Sequence, residues 1–293
     1  MGKGLLDNIL GELCGRVQAD GGFAERPGGT FRPDSTAWAI MALEAAGRRH
    51  ELAEAGRTRL AAAQMKNGSV PVSSEAPDAF WPTSLAVLAW NDSTSYQQNQ
   101  NQAIEFLLQT GNKRLKDSPT KRGWPWTAGT HLWVVPTSLA IMALSSAGHG
   151  GHKRIGEGVD VLMSLQLPGG GWNCGSTVVF DQVQLPQADC TGVALAALAG
   201  HVPKERVQKS LDYLAAQVSR IRSPLSLGWG IIGLGAWGVT QPAIADVVAE
   251  SCQLQQKYGP YDTSLLSLLM VVLATNGNPA GMFSSEGDRR GAA

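Results

Sequence analysis

The chain has no excess of charge of either sign. Its 24 lysine and arginine residues are balanced by 24 aspartate and glutamate residues, so the formal net charge is zero. A neutral chain exerts no long-range attraction on nucleic acid or on an anionic membrane. We therefore expect no nucleic-acid partner.

Long apolar runs and closely spaced cysteines are also missing. No stretch reaches the roughly 18 apolar residues of a transmembrane helix, and residues 1–18 lack the apolar core of a signal peptide. The cysteines are far apart, without a Cys-x-x-Cys pair; they are Cys14, Cys174, Cys190 and Cys252. These absences predict a cytoplasmic protein with reduced thiols and no transmembrane segment, while peripheral membrane contact stays open.

Glycine and tryptophan, in contrast, are abundant, and they recur in one pattern. An apolar segment ends in glutamine, a glycine-rich turn follows, and then comes an aromatic residue or valine. The instances are "VQADGGF" (17–23), "AAQMKNGSV" (62–70), "LLQTGN" with "RGWPW" (107–126), "SLQLPGGGW" (164–172) and "AAQVSR" with "LGWG" (215–230). Such self-similarity at intervals of about 50 residues is typical of a helical repeat.

Each turn is followed by a second apolar segment with a shared opening. The openings are "PDSTAWAIMAL" (33–43), "WPTSLAVLAW" (81–90), "VPTSLAIMAL" (135–144), "ADCTGVALAAL" (188–198) and "YDTSLLSLLM" (261–270). Segments with one charged face should lie outside and the uncharged ones inside. Because an open stack would expose the uncharged helices, the pattern predicts an all-α fold, an α/α toroid of about six helical hairpins. We expect one domain over residues 1–280 and a flexible tail over 281–293.

These glutamine–glycine–aromatic segments resemble the QW repeat of squalene–hopene cyclases. Over roughly residues 15–275, the pattern resembles the prenyltransferase and squalene-cyclase repeat superfamily. The resemblance implies that the recurring glutamines and aromatics clamp the ring. These residues are Gln18, Gln64, Gln109, Gln166, Gln217, Phe23, Trp124 and Trp172.

Acidic residues recur where the inner helices begin. Superposing the openings on their Ser/Thr pairs aligns Asp34, Pro82, Pro136, Asp189 and Asp262. Three carboxylates would then surround one mouth of the ring. An aspartate at this position is also a good helix N-cap, which is the simplest interpretation of Asp34 and Asp262.

Asp189 has a further interpretation that comes from the resemblance. Class II terpene cyclases carry an Asp-x-Asp-Asp-Thr motif whose central aspartate donates the proton that starts cyclisation. The stretch "QADCT" (187–191) places Asp189 on that aspartate and Thr191 on the threonine. Gln187 and Cys190 replace the flanking acids, so the groups that would tune the acidity of Asp189 are missing.

Tryptophans cluster near the same helix starts. They are Trp38, Trp81, Trp126, Trp133, Trp229 and Trp237. As a set they predict an aromatic-lined pocket, whose π faces can stabilise positive charge. His131, in the loop that carries Trp126 and Trp133, could orient Asp189 or bind a substrate head group. We expect the substrate-binding residues to be Asp34, Asp262, His131, Trp81, Trp126, Trp133 and Cys190.

Three functions remain open at this point. The first is a terpene cyclase-like enzyme that acts on an isoprenoid, with Asp189 as the catalytic general acid. The second is a non-catalytic toroid that binds another apolar small molecule or a protein partner, and the third is a toroid hydrolase or transferase. Protein prenyltransferases imply a zinc set of Asp189, Cys190 or Cys174, His131 and Asp262. That set has no recognised spacing, so we expect neither a metal nor a cofactor.

Overall fold

Amphipathic helices alternate along the chain with helices that carry few charges, as the repeated sequence pattern predicts. The computed structural model describes residues 2–91, 93–110, 122–278 and 280–283. In chain order its α-helices are α1 (Gly2–Cys14), α2 (Pro33–Ala45), α3 (His50–Ala62), α4 (Pro82–Ala89), α5 (Gln97–Gln109), α6 (Val134–Leu144), α7 (Lys153–Ser164), α8 (Ala188–Leu198), α9 (Gln208–Val218), α10 (Pro224–Gly235), α11 (Ile244–Gln253), α12 (Gln255–Tyr258), α13 (Thr263–Ala274) and α14 (Ala280–Phe283).

The helices with few charged residues form a closed inner ring. Helix α2 packs on α4, and the contacts continue through α6, α8, α10 and α13 back to α2. Each of these helices is buried on nearly every side, as expected for a helix that is apolar all round. The predicted all-α toroid of about six hairpins is therefore confirmed. Its fifth unit is irregular, because its inner helix α10 begins without the threonine of the other openings.

The amphipathic helices α1, α3, α5, α7, α9 and α11 form the outer ring. In α7, for example, Ile155, Val159 and Leu162 are buried, while Lys153 and Asp160 face solvent. This spacing directs one stripe of each outer helix toward the inner ring. Within the described residues, no helix combines the length and apolar character that crossing a bilayer would need.

Small residues let two inner helices approach each other closely. A Cβ atom added to Gly192 of α8 would lie 2.2 Å from the carbonyl oxygen of Trp229, and one added to Gly233 of α10 would lie 2.4 Å from the carbonyl oxygen of Gly192. The backbones of α8 and α10 are thus in direct contact, which larger side chains would prevent.

A buried threonine fixes the start of the first four inner helices after α1, α3, α5 and α7. Its Oγ1 accepts a hydrogen bond from the backbone N–H of the residue that follows the glycine-rich turn. The four pairs, donor first, are Phe23–Thr36 at 2.9 Å, Val70–Thr83 at 2.9 Å, Trp124–Thr137 at 3.0 Å and Trp172–Thr191 at 3.0 Å. The separation is 13 residues in the first three pairs and 19 in the fourth.

The longer fourth connection runs from α7 to α8. It contains a two-stranded sheet, the one sheet among the residues that the structure describes. Strands β1 (Val178–Val179) and β2 (Gln182–Val183) pair in antiparallel register through Phe180 and Asp181, which both have positive φ. The connection is thus lengthened by a β-hairpin, without a change in the threonine contact at its end.

The sixth hairpin closes on the first through a related contact. The hydroxyl of Thr263 donates to the carbonyl of Ala24 at 2.5 Å, and the Thr263 N–H donates to the carbonyl of Glu25 at 2.9 Å. The buried guanidinium of Arg16 donates to the carbonyl of Tyr261 at 2.8 Å and to Thr263 Oγ1 at 3.2 Å. Side chains from both ends of the chain therefore close the ring.

Glycine is needed in these turns because the outer helix of the next hairpin passes very close to them. The glycine two residues before the threonine-bound N–H has a positive φ in three turns: Gly21 at 84°, Gly68 at 89° and Gly170 at 94°. A Cβ atom at each would meet the backbone of the following outer helix within 3 Å, at Ala55, Gln102 and Lys209. Only glycine permits both the conformation and the approach.

The glutamines and tryptophans of the repeated sequence pattern make further contacts around the turns. Gln64 and Gln166 donate to the carbonyls of Asn99 and Arg206 in the next hairpin. The Trp124 indole donates back to the carbonyl of Leu107 at 3.0 Å, and that of Trp172 donates to Leu162 at 2.7 Å. Gln64 and Gln166 thus join neighbouring hairpins, whereas Gln18 donates to Gly29 in its own turn and Gln109 to Glu105 in its own helix. The two indoles join each turn to its own outer helix.

The C-terminal segment differs from the predicted tail. Residues 281–283 belong to helix α14, and Phe283 is buried against the inner ring. No periodicity is visible in this segment because a helix of four residues is too short to show one. Residues 284–293 of the predicted tail lie outside the described residues.

We predict that Gly170→Ala will destabilise the protein and that Gly169→Ala will not. Gly170 has a φ of 94° and a Cβ there would lie 2.6 Å from the Lys209 carbonyl carbon, whereas Gly169 has open space. The expected loss in the free energy of unfolding is about 2 kcal/mol or more for Gly170→Ala, measured by urea denaturation. Equal stability of the two variants would show that the turn does not depend on this close approach.

Candidate functional site

The inner ring encloses a cavity at the end where its helices begin. The cavity has a volume of about 660 Å³, within the range of roughly 300–1,000 Å³ that is usual for small-molecule sites. Its lining consists of Glu25, Asp34, Trp38, Trp81, Trp126, Val135, Leu139, Cys174, Asp189, Cys190, Ser223, Pro224, Leu225, Trp229, Tyr261, Asp262, Ser264 and Leu265. Every inner helix, or the residue that precedes it, contributes to this lining.

Two tryptophan pairs form much of the wall. The rings of Trp81 and Trp126 meet edge to face at 5.3 Å and 83°, and those of Trp38 and Trp229 meet at 5.6 Å and 75°. Edge-to-face packing favours a fixed orientation of each indole. The predicted aromatic-lined pocket is present, and it includes Trp81 and Trp126 as expected.

Helix α14 lies against the inner ring at the opposite end. Phe283 stacks on Trp229 with a centroid distance of 6.4 Å and an interplanar angle of 28°. Neighbouring residues Gly281 and Met282 lie beside Leu88 and Thr275, where inner helices end. The cavity is consequently accessible from the N-terminal end of the inner helices.

The buried threonines define a register that differs by one residue from the sequence alignment. Two residues before Thr36, Thr83, Thr137 and Thr191 stand Asp34, Trp81, Val135 and Asp189, and all four line the cavity. Pro82 and Pro136, which the alignment placed at this position, are instead buried inside the first helical turn. The alignment failed because Ser35–Thr36 and Thr83–Ser84 present their threonines in opposite order.

Asp34 is neutralised by a neighbouring arginine. Its carboxylate accepts two hydrogen bonds from Arg32, with Nε–Oδ1 at 2.9 Å and a second nitrogen–Oδ2 contact at 3.1 Å. The hydrogen bond raises the pKa of Arg32 above its usual value. The N-cap of α2 is Arg32, which makes no side-chain cap, so the predicted capping role of Asp34 is wrong and an ion pair takes its place.

Asp262 is a helix cap, as its sequence context predicts. Its Oδ1 accepts a hydrogen bond from the backbone N–H of Leu265 at 2.8 Å, at the start of α13. One of the free amides of the first helical turn is thereby satisfied.

Asp189 is the third carboxylate, and it has neither kind of partner. Its half-buried side chain forms no ion pair and no hydrogen bond with the part of the chain that the structure describes. Burial, together with the negative charge of Asp189, raises the pKa of Tyr213 above its usual value. Among the three predicted acids, Asp189 is therefore the one left available to a ligand.

His131 and Trp133 do not line the cavity. The backbone pairs Pro125 with Leu132 in an antiparallel bridge, and Leu132 is buried, so its two neighbours face outward. His131 is exposed, and Trp133 is 38% exposed. His131 and Trp133, which were predicted to bind the substrate, thus lie outside the cavity, because an extended segment alternates its side chains between two faces.

The zinc set drawn from the sequence is not brought together, since His131 lies outside the cavity. Cys190 does line it, next to Cys174, with the two sulfur atoms 3.6 Å apart. In the described chain, the one group of potential ligands within 4.8 Å of each other is Glu44, His50 and Glu54. Arg57 forms hydrogen bonds with both of these glutamates.

Several lining residues were missed by sequence reasoning. Glu25, Leu225 and Tyr261 reach the cavity from turns and from the irregular fifth unit. Tyr261 directly precedes Asp262, so its position beside a predicted site residue was the available signal. No sequence signal pointed to Glu25, because its position in the cavity depends on the closure of the ring.

Apolar side chains project from the β-hairpin beside the cavity. The hairpin lies between Cys174 and Asp189, which both line the cavity, so it is located at the accessible end. Phe180 is 95% exposed and Leu185 is 80% exposed, and Val178 and Val183 are also exposed. Monomeric proteins rarely leave such a group in water without a contact for it.

Comparisons with known proteins give the fold but no close relative. No protein-family model matches the sequence, and no curated protein matches it significantly. The GH76A α-1,6-mannanase from Salegentibacter sp. aligns with a TM-score of 0.66 and 10% identity, over 94% of this chain and 99% of its own.

Two further solved structures align to a similar degree. The type II terpene cyclase MstE from Scytonema has a TM-score of 0.63 and 11% identity, over 96% of this chain and 99% of its own. A protein from Actinoplanes has a TM-score of 0.63 and 16% identity, over 94% and 99% of the two chains. The chain thus has the α/α toroid fold that terpene cyclases share with GH76 mannanases.

Proposed function

We propose that this protein is a terpene cyclase-like enzyme in which Asp189 protonates an alkene of an isoprenoid held in the central cavity. In this reaction the carboxylic acid of Asp189 transfers its proton to one alkene carbon and becomes a carboxylate. The neighbouring carbon becomes a cation, internal alkenes attack it, and loss of a proton ends the sequence. The observation that carries the proposal is that Asp189, alone among the three predicted acids, has no hydrogen bond or ion pair with the residues that the structure describes.

The distribution of partners among the acids supports this assignment. A general acid must keep a proton and present it to the substrate. Asp34 is paired with Arg32, and Asp262 accepts from the Leu265 amide, so both carboxyl groups already have protein partners. Asp189 has no such contact within the described residues.

The aromatic walls support a cationic intermediate. The edge-to-face pairs Trp81–Trp126 and Trp38–Trp229 line the cavity that also contains Asp189. Indole faces attract a cation by about 0.5–2 kcal/mol each, most strongly where water is excluded. MstE, with which this chain shares its fold, has been solved with geranylgeranyl dihydroxybenzoate as its substrate.

A binding protein without catalysis is the second candidate. Gln187 and Cys190 stand where the terpene cyclase motif has flanking acids. Both contact Cys174, through Gln187 Oε1 and the Cys190 sulfur. Neither supplies a carboxylate that would tune Asp189. An apolar ligand could thus be bound in the cavity and released unchanged.

We predict that Asp189→Asn will abolish cyclisation while leaving binding intact. The amide keeps the shape of the carboxyl group but cannot supply its proton, so product formation should fall at least a hundredfold. Farnesol, geranylgeraniol, their diphosphates and squalene would be incubated with each protein, and the products analysed by gas chromatography with mass spectrometry.

Asp262→Asn is the matched control, because its amide oxygen can still accept from Leu265. It should retain most of the activity. Equal product from wild type and Asp189→Asn would exclude Asp189 as the acid. Tight binding by wild type with every substrate recovered unchanged would favour the binding protein.

We further predict that Leu225→Trp will weaken the binding of an apolar probe. Leu225 lines the cavity and is 41% exposed, so an indole there should reduce the space for a ligand. The Kd of N-phenyl-1-naphthylamine, measured by fluorescence, should rise at least tenfold. Met65→Trp is the control, since Met65 is also 41% exposed but lies outside the cavity. Equal Kd values for the two variants would place the probe elsewhere.

An isoprenoid dissolved in a membrane would reach the cavity through its accessible end, where the apolar hairpin lies. We propose that this hairpin makes a peripheral contact with lipid, since Phe180 and Leu185 can be buried in a bilayer interface. Phe180→Asp should reduce co-sedimentation with phosphatidylcholine vesicles at least fivefold, whereas Met65→Asp should not. Undiminished binding of Phe180→Asp, or no binding by wild type, would contradict this role.

A further inference from the structure

Two thiols from different segments meet in the wall of the cavity. Cys190 lies in the first turn of α8, and Cys174 lies in the connection that follows Trp172, before the hairpin. Their sulfur atoms are 3.6 Å apart, and both are within hydrogen-bonding distance of Gln187 Oε1, at 3.0 Å from Cys174 and 3.5 Å from Cys190. One side-chain oxygen therefore holds both thiols toward the same point.

From this geometry we propose that Cys174 and Cys190 are a modification site, an oxidisable dithiol that a peroxide converts to a disulfide at the base of the hairpin connection. A disulfide has an S–S distance of about 2.05 Å, so the sulfur atoms must approach each other by about 1.5 Å. Rotation of two side chains can supply this approach. The proposal goes beyond the proposed function and does not depend on catalysis in the cavity.

The two thiols have different environments, which gives an order to the reaction. Cys174 is half-buried and lines the cavity, so an oxidant that enters the cavity reaches it. Burial raises the pKa of the Cys190 thiol, and the nearby charge of Asp189 and the contact with Cys174 add to this effect. Cys174 is thus the thiol that reacts first, because the thiolate is the nucleophile.

The chemistry is balanced with hydrogen peroxide as the oxidant. The Cys174 thiolate attacks one peroxide oxygen, the O–O bond breaks, and Cys174 becomes a sulfenic acid with release of one water. The Cys190 sulfur then attacks the Cys174 sulfur, the S–O bond breaks, and the oxygen leaves with a proton as a second water. Two thiols are oxidised and one peroxide is reduced.

The disulfide would close the connection that carries the apolar hairpin. Within this connection, Asn173 donates to the carbonyl of Leu185 at 2.7 Å, and Gln184 donates to that of Thr177 at 2.8 Å. The carbonyl of Cys174 accepts from Val134 at the start of α6 at 2.8 Å. A covalent bond between Cys174 and Cys190 would therefore join the hairpin base, α6 and α8 next to Asp189.

The test is peptide mapping by mass spectrometry after treatment of the reduced, folded protein with equimolar hydrogen peroxide. We expect the Cys174–Cys190 disulfide to exceed every other cysteine pairing at least tenfold. Hydrogen–deuterium exchange of residues 175–188 should slow in the oxidised protein and recover with a reductant. Cys252→Ser should still form the bond.

A second, non-oxidative probe tests the geometry directly. Phenylarsine oxide bridges two neighbouring thiols and should bind wild type and Cys252→Ser at one equivalent, but neither Cys174→Ser nor Cys190→Ser. The latter variant should instead accumulate a Cys174 sulfenic acid that dimedone traps. Mixed pairings with Cys14 or Cys252, or oxidation of Cys174 to sulfinic acid without a disulfide in wild type, would overturn the proposal.

Discussion

The fold depends on a hydrogen bond that is repeated from hairpin to hairpin. In four hairpins a buried threonine hydroxyl accepts the backbone N–H that follows the glycine-rich turn. Because each hydroxyl is fully buried, a lost partner would leave a polar group without solvent. The contact therefore fixes where each of these four turns ends and where the next inner helix starts, and Thr263 extends the arrangement across the junction of the chain ends.

This constant backbone lets the side chains nearby vary. The position two residues before the threonine holds Asp34, Trp81, Val135 and Asp189 in successive hairpins, so the same location supplies an acid, an indole or an aliphatic group. The lengthened fourth connection shows the same tolerance, since the hairpin is added without disturbing Thr191. A fold of this kind supports different chemistries, and its function has to be argued from the cavity.

Much of the fold was predictable because its signals are local. The alternation of charged and uncharged helices, the glycine turns and the glutamines are all visible within single repeats. Trp81, Trp126, Asp189, Asp262 and Cys190 were assigned to the cavity correctly for the same reason, since each lies at or next to the start of an inner helix.

The remaining parts of the site depend on contacts that no single repeat contains. His131 and Trp133 were misassigned because the Pro125–Leu132 bridge sets which side chains of that segment face inward. Arg32 was missed as the partner of Asp34, and Phe283 was assigned to the tail although it packs on Trp229, far away in sequence. The cysteine pair likewise appears only when the fourth connection folds back on α8.

The most direct test of the account is a crystal structure of the Asp189→Asn variant with geranylgeraniol. We predict that the prenyl chain occupies the central cavity between the two tryptophan pairs, with one alkene in contact with the residue 189 side chain. A chain bound outside the inner ring, or one inside it whose alkenes all lie away from residue 189, would contradict the account.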